Sequence, residues 1–234
     1  MNNEGHKGFI IAIDGPVASG KGTIAPLLAE RLHGFYMNTG GLFRMLALYA
    51  YKNNISLEEE SLLAIYPSLT LDLENSKNLL NGEDVSGEIY GSDISQGSSI
   101  VASLPKVHEQ VVFREREIGY AHAETGGIVI AEGRNTATAV FPDAAFKVFM
   151  TADLTTRARR RYDQAITRGE DVRLEAVVQD TQARDLRDRS RSFYPMVERP
   201  EDHGYYVLDN SLLTEEDTLN RLVVELQERE LIDD

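Results

Sequence analysis

Residues 9–34, FIIAIDGPVASGKGTIAPLLAERLHG, constrain this chain more than any other stretch. FIIAID is a continuous apolar run of strand length, and a run without a polar face suits a central parallel strand covered on both sides. The turn GPVASGKG follows directly, and GTIAPLLAERLHG (22–34) then shows helical spacing up to Gly34. Pro26 is expected in the first helical turn, where a missing N–H costs little. Strand, glycine loop and helix in that order let backbone N–H groups and a helix N-terminus surround a phosphate, with Lys21 adding a mobile cation. With glycine at about 7% of residues, G-x-x-x-x-G-K arises by chance in roughly one chain of this size in a hundred. Such loops normally continue GK with Ser or Thr, whose hydroxyl holds magnesium. Here Gly22 stands in that place and the hydroxyl comes one residue late, on Thr23.

The remaining pattern agrees with an α/β chain. Strand-like runs occur at GIVIAEG (127–133), FKVFMTA (146–152) and YYVLDN (205–210), with helical spacing over 39–53, 105–125, 153–169, 173–191 and 214–230. Alternation of this kind predicts a mostly parallel central sheet between helical layers. Residues 69–89, LTLDLENSKNLLNGEDVSGEI, alternate instead with period two around an Asn-Gly pair at 81–82, which predicts a small antiparallel hairpin. No internal repeat or linker divides the chain.

Composition narrows the function. The 234 residues contain no cysteine, which excludes disulfides, thiol nucleophiles and thiolate metal sites. The N-terminal MNNEGHKG lacks a signal pattern and no apolar run approaches 18 residues, so a cytoplasmic protein without membrane attachment is expected. A net charge of −14 argues against a general nucleic-acid binder. Yet ten of the 24 basic residues are arginines between Arg157 and Arg191, a local concentration that suits a small polyanion.

The GKGT ending is the form found in nucleoside monophosphate kinases of the adenylate kinase type. From Ile10 to about residue 210 the chain resembles the bacterial cytidylate kinases. The resemblance rests on IAIDGPVASGKGT, NTGGLFRMLAL (38–48), NGEDVSGEI (81–89), EGRNTATAVFPDAAFKVFMTA (132–152) and RDLRDRSR (184–191), in that order. It implies a P-loop three-layer α/β fold made of one kinase domain. The expected parts are a core (about 1–38, 105–152 and 195–234), an acceptor-binding insertion carrying the hairpin (about 39–104) and a helical lid (about 153–194). It further implies transfer of the γ-phosphoryl group of ATP to a pyrimidine nucleoside monophosphate, CMP or dCMP first. Mg²⁺ would accompany ATP, held by phosphates and water rather than by protein side chains. Small nucleotides are the expected partners, and a monomer the expected assembly.

Residue by residue, the resemblance assigns ATP to Gly15, Pro16, Val17, Ala18, Ser19, Gly20, Lys21, Gly22, Thr23 and Arg157. Lys21, Arg134, Arg184 and Arg191 carry the transfer, where planar guanidiniums can grip two phosphate oxygens at once. The acceptor falls to Thr39, Phe43, Arg44, Ser99, His108, Arg134, Asn135, Arg184, Asp188 and Arg191, with Asp188 on the sugar hydroxyls. The chain departs from the family at Asn38 (aspartate), Phe43 (tyrosine), Tyr90 (arginine) and Ala137 (glycine). Of the three cytosine-reading positions only Ser99 survives; His108 replaces an arginine and Asn135 an aspartate.

These last two leave the base open. Asn135 can accept through its oxygen, as cytosine's amine requires, or offer its NH₂ to a carbonyl. His108 either reaches the base or lies idle on a solvated helix. The arginine-rich helices carry a similar choice: Arg157, Arg160 and Arg161 share one face, as do Arg184, Asp188 and Arg191, whereas Asp185, Arg187 and Arg189 project elsewhere. Such faces are either solvated ion-pair rows or a cationic lid. A kinase with a broadened acceptor such as UMP, and a non-catalytic nucleotide-binding relative, are the alternatives in function.

Overall fold

The computed structural model describes residues 8–74 and 77–233. The N-terminal residues read above for a signal pattern, and Asn75–Ser76 within the hairpin segment, lie outside them. The chain opens with β1 (Phe9–Asp14), α1 (Lys21–Arg31), β2 (Phe35–Asn38) and α2 (Thr39–Lys52). It continues through α3 (Glu59–Ile65), β3 (Leu71–Glu74), β4 (Lys77–Leu80), β5 (Glu83–Asp84), α4 (Ser92–Val101) and α5 (Pro105–Glu124). After β6 (Ile128–Glu132) and a short π-helical turn at Thr136–Val140 come β7 (Phe146–Thr151), α6 (Leu154–Thr167), α7 (Leu174–Arg189), β8 (Tyr206–Asp209) and α8 (Glu215–Glu228).

The main sheet has the order β2-β6-β1-β7-β8 with every pairing parallel, so β1 lies at its centre. Its alternate residues serve opposite layers. Ile11 and Ile13 pack with Leu28 of α1 and Leu222 of α8, while Ile10 joins Leu46 of α2 and Val111 of α5 on the other face. Each such fully buried side chain contributes about 1.5–3 kcal/mol, so the loop leaving β1 is anchored on both sides. A turn at the carboxyl end of a central parallel strand is where open α/β sheets bind ligands.

The antiparallel segment is larger than a hairpin: β3, β4 and β5 form a three-stranded sheet. Leu80 pairs with Glu83 across Asn81-Gly82, whose φ angles of 52° and 83° make the two-residue turn that the sequence predicts. β2, α3 and α4 are additional to the elements that the sequence predicts. Pro26 is a correction. The helix starts at Lys21, placing Pro26 in its second turn, where it deprives the Gly22 carbonyl of its intrahelical N–H.

Candidate active site

The β1–α1 loop is shaped by backbone constraints. Gly15 has φ 147°, and a Cβ there would collide with the Met150 carbonyl oxygen, so only glycine fits. Ala18 and Gly20 are also left-handed, at 58° and 94°. Gly20 caps α1 without a side-chain hydrogen bond, and among the described residues the N–H groups of Gly20, Lys21 and Gly22 find no acceptor. Such a row of free N–H groups at a helix N-terminus is suited to phosphate oxygens.

Lys21 is folded back onto its own loop. Its Nζ donates to the Gly15 and Pro16 carbonyls at 2.9 and 2.8 Å and to Ser19 Oγ at 3.1 Å. Burial, reinforced by the Arg134 charge, lowers its pKa to about 7 against the opposing pull of Glu132, Asp14 and Asp188.

The loop forms one end of a cleft of about 660 Å³. Ala18, Ser19, Gly20, Lys21, Gly22 and Thr23 line it, together with Thr39, Phe43, Arg44, Ser99, His108, Arg134, Asn135, Arg184, Asp188 and Arg191. The structure therefore brings together most residues assigned from the sequence. Gly15, Pro16 and Val17 sit behind the lining and support it, and Arg157 is a correction. It is 6% exposed, and its guanidinium donates to the Ala152 carbonyl (3.0 Å), the Val17 carbonyl (3.0 Å) and Asp185 Oδ2 (2.6 Å). Asp185 Oδ1 also accepts from Val17 N at 3.2 Å. Arg157 thus supports the loop from beneath instead of facing the cleft. Asp185, expected to project elsewhere, clamps both. The side that Arg157 leaves is taken by Arg160, which lines the cleft and donates to Asn210 Oδ1 and to its carbonyl, both at 3.0 Å.

The guanidiniums lining the cleft are arranged by few acceptors. Asp188 accepts from Arg134 Nε at 3.0 Å and from Arg191 at 2.7 Å. Burial alone would raise its pKa, but Arg134, Arg191 and Arg184 hold it below the usual carboxylate range. Ser95 Oγ of α4 accepts from both Arg44 of α2 (3.2 Å) and Arg184 of α7 (3.1 Å), a link that no sequence signal marks. Arg184 Nε is buried without any partner. Burial and the nearby Arg134, with smaller contributions from Arg44 and Arg161, bring this guanidinium down to about 9 against the pull of Asp188. It stays charged at neutral pH, and an unpartnered buried donor is costly until an acceptor reaches it.

The segment between the two ends is held from β1. Asp14 accepts from Thr136 N (2.7 Å), Ala137 N (2.8 Å) and Tyr205 Oη (2.7 Å), which fixes the GRNTAT turn. Thr39 Oγ1 donates to the Glu132 carbonyl at 2.9 Å, and a Cβ on Gly133 would strike that hydroxyl. His108 is 2% exposed, which rules out the solvated-helix reading. Among the described residues, no group of three or more His, Asp or Glu could hold a metal ion.

The comparisons agree with this geometry. The family model described as cytidylate kinase matches residues 11–228. A cytidylate kinase of Caldanaerobacter subterraneus subsp. tengcongensis is 39% identical over 213 residues, covering 91% of this chain and 92% of the relative. One from Pseudomonas putida is 41% identical over 230 residues, covering 95% and 97%. Among solved structures, an uncharacterized protein from Eubacterium ventriosum shares the fold at TM-score 0.55 and 13% identity, covering 94% of this chain and 98% of that one. A phosphate loop facing clustered guanidiniums, inside a chain aligned almost end to end with these relatives, leads to one conclusion: this chain belongs to the cytidylate kinase family.

Proposed function

We propose that this protein transfers the γ-phosphoryl group of ATP to a pyrimidine nucleoside monophosphate, CMP or dCMP first, releasing ADP and the nucleoside diphosphate. The observation that carries this is one cleft lined both by the loop, with its free N–H groups and Lys21, and by Arg44, Arg134, Arg184 and Arg191.

ATP phosphates take the free N–H groups of Gly20, Lys21 and Gly22, and Thr23 supplies a hydroxyl beside them. Lys21 Nζ leaves the Gly15 and Pro16 carbonyls for phosphate oxygens, and its depressed pKa rises as those anions arrive. Arg44 and Arg191 hold the acceptor phosphate, while Arg184 brings its unpartnered Nε to the group in transfer. The bond from γ-phosphorus to the β–γ bridging oxygen breaks as an acceptor phosphate oxygen attacks. That oxygen is already anionic, so the protein supplies positioning and charge and needs no general base. Asp188 retains lone pairs beyond those used by Arg134 and Arg191, enough to accept a sugar hydroxyl.

Mg²⁺ belongs to this reading. Gly22 offers no hydroxyl, but Glu132 Oε1 lies 3.9 Å from where a Cβ on Gly22 would stand. A carboxylate there suits the water shell of a magnesium–ATP complex. When bound, the ion neutralises charge on the β and γ phosphates.

The division into core (about 1–38, 105–152, 195–234), acceptor part (39–104) and lid (153–194) follows the same reading, as do a monomer working on small nucleotides and a cytoplasmic location. Among the described residues, no helix is long and apolar enough to cross a membrane. A coupled ADP-release assay over CMP, dCMP, UMP, dUMP, AMP and GMP tests the proposal. Turnover is expected with CMP and dCMP, and negligible turnover with all six would overturn it.

A further inference from the structure

Where the base of the acceptor would lie, the cleft wall holds a short chain of hydrogen bonds whose direction is fixed. His108 Nδ1 is 2.8 Å from the Ala102 carbonyl oxygen. A carbonyl only accepts, so Nδ1 carries the proton and donates. In a neutral ring Nε2 is then an acceptor, and Asn135 Nδ2 donates to it at 3.3 Å. The second Nδ2 hydrogen goes to the Tyr194 carbonyl at 3.1 Å. That carbonyl is presented by a left-handed Tyr194, φ 46°, a backbone state that non-glycine residues rarely hold without support. Reversing the amide would set its oxygen against two acceptors, so the orientation is forced. Both hydrogens are used and, among the described residues, Oδ1 has no protein donor, on a residue that lines the cleft.

We infer that His108 is a specificity-positioning residue, locking Asn135 so that its oxygen faces the acceptor's base and selects a base with an exocyclic amine over one with a carbonyl there. The inference rests on the acceptor reading above and deepens it. It also answers the choice that the sequence leaves open, because the lock removes the amide's freedom to serve both bases.

The ring's surroundings maintain the neutral form. Phe43, Phe193 and Tyr194 surround it at centroid distances of 4.9, 5.4 and 5.2 Å. The charged group that acts on it is Arg191, just past α7, whose guanidinium is itself paired with Asp188 at 2.7 Å. Burial lowers the ring's pKa to about 4, with Arg191 adding to the fall and the Ala102 bond opposing it. A cationic ring would have only donors and would expel the Asn135 NH₂ group.

Two measurements test this on the full chain. The first is the ¹⁵N spectrum of the His108 imidazole without nucleotide between pH 6 and 8. A neutral ring protonated at Nδ1 is expected; the other tautomer, or an imidazolium, overturns the lock. The second is the ratio of kcat/KM for CMP to that for UMP. The wild-type ratio should exceed about tenfold, since a site built around one hydrogen bond rejects the analogue that cannot make it. His108→Arg presents donors only, so Asn135 should turn its oxygen inward and the ratio should fall by about tenfold or more. Asn135→Asp added to His108→Arg restores an acceptor toward the base and should restore the ratio. A wild-type ratio near one, or His108→Arg with an unchanged ratio, would overturn the inference. Should His108→Arg not fold, the imidazole spectrum of the wild type decides. If the wild type phosphorylates neither nucleotide, the acceptor reading fails, and the spectrum still decides the lock.

Discussion

On the proposed reading, the groups that meet the phosphates are backbone N–H groups from one short segment, whereas those that meet the base are side chains from several elements. Gly15, Ala18 and Gly20 set the loop by positive φ, and Asp185 with Arg157 supports it from below. His108 from α5, Asn135 after β6 and Tyr194 after α7 meet only in the folded chain. A backbone site tolerates changes of side chain, as Gly22 shows, because the groups that bind do not depend on residue identity. A side-chain site changes meaning with one substitution, and it must hold each replacement in a defined direction.

The largest effect should come from Lys21, the cation that the proposed reading places on the ATP phosphates. Lys21→Ala is expected to lower kcat with CMP by about 10²–10⁴ at saturating ATP, measured in steady state. Arg184→Ala should follow, with a loss of about 10²–10³ in kcat/KM, and Arg184→Lys should recover little of it, since an ammonium cannot replace a planar fork. An unchanged rate in either would break the assignment of the transferring phosphate to that group.

Asp185→Ala separates support from contact. It strands Arg157 in the interior, and breaking a buried pair costs about 3–5 kcal/mol. The melting temperature should therefore drop by about 10 °C, with KM for ATP rising more than KM for CMP. Equal rises would mean that the pair does not act through the loop.

The His108 ring gives a pH test of the other end. Its folded pKa, about 4, lies below the unfolded value of about 6.5, so below pH 6.5 the unfolded chain binds a proton that the folded chain refuses. Stability from this group is complete above 6.5 and is lost as pH falls toward 4, by about 3 kcal/mol in total. Urea titrations of wild type and His108→Gln should converge by roughly that amount across the window, and a constant difference would contradict the neutral ring. The smallest effect is assigned to Ser95→Ala, which removes the acceptor shared by Arg44 and Arg184 and should raise KM for CMP by only a few fold.

What could be read from the sequence follows the same division. Apolar β1, the glycine spacing and Asn81-Gly82 announce themselves because each encodes a local conformation, and the structure places them as expected. Helical faces were legible too, but not what lies beneath them. Arg157 shares a face with Arg160 in periodicity, yet one enters the interior and the other the cleft, a difference set by Asp185 from another helix. Ser95 and Tyr194 act through a hydroxyl and a carbonyl that nothing local distinguishes. The resemblance marks Asn135 as a departure at a base-reading position, but the direction of its amide depends on a tautomer fixed by the Ala102 carbonyl. β2 carries little local signal because FYMN is short and only partly apolar.

The central claim is that the loop end delivers a phosphoryl group to an acceptor held at the guanidinium end. It is tested most directly by following ³²P from [γ-³²P]ATP in a single turnover with CMP and Mg²⁺. The account predicts label in CDP, with little free phosphate and a transfer rate that collapses in Lys21→Ala. Label released only as inorganic phosphate, or retained in ATP while CMP is saturating, would contradict it.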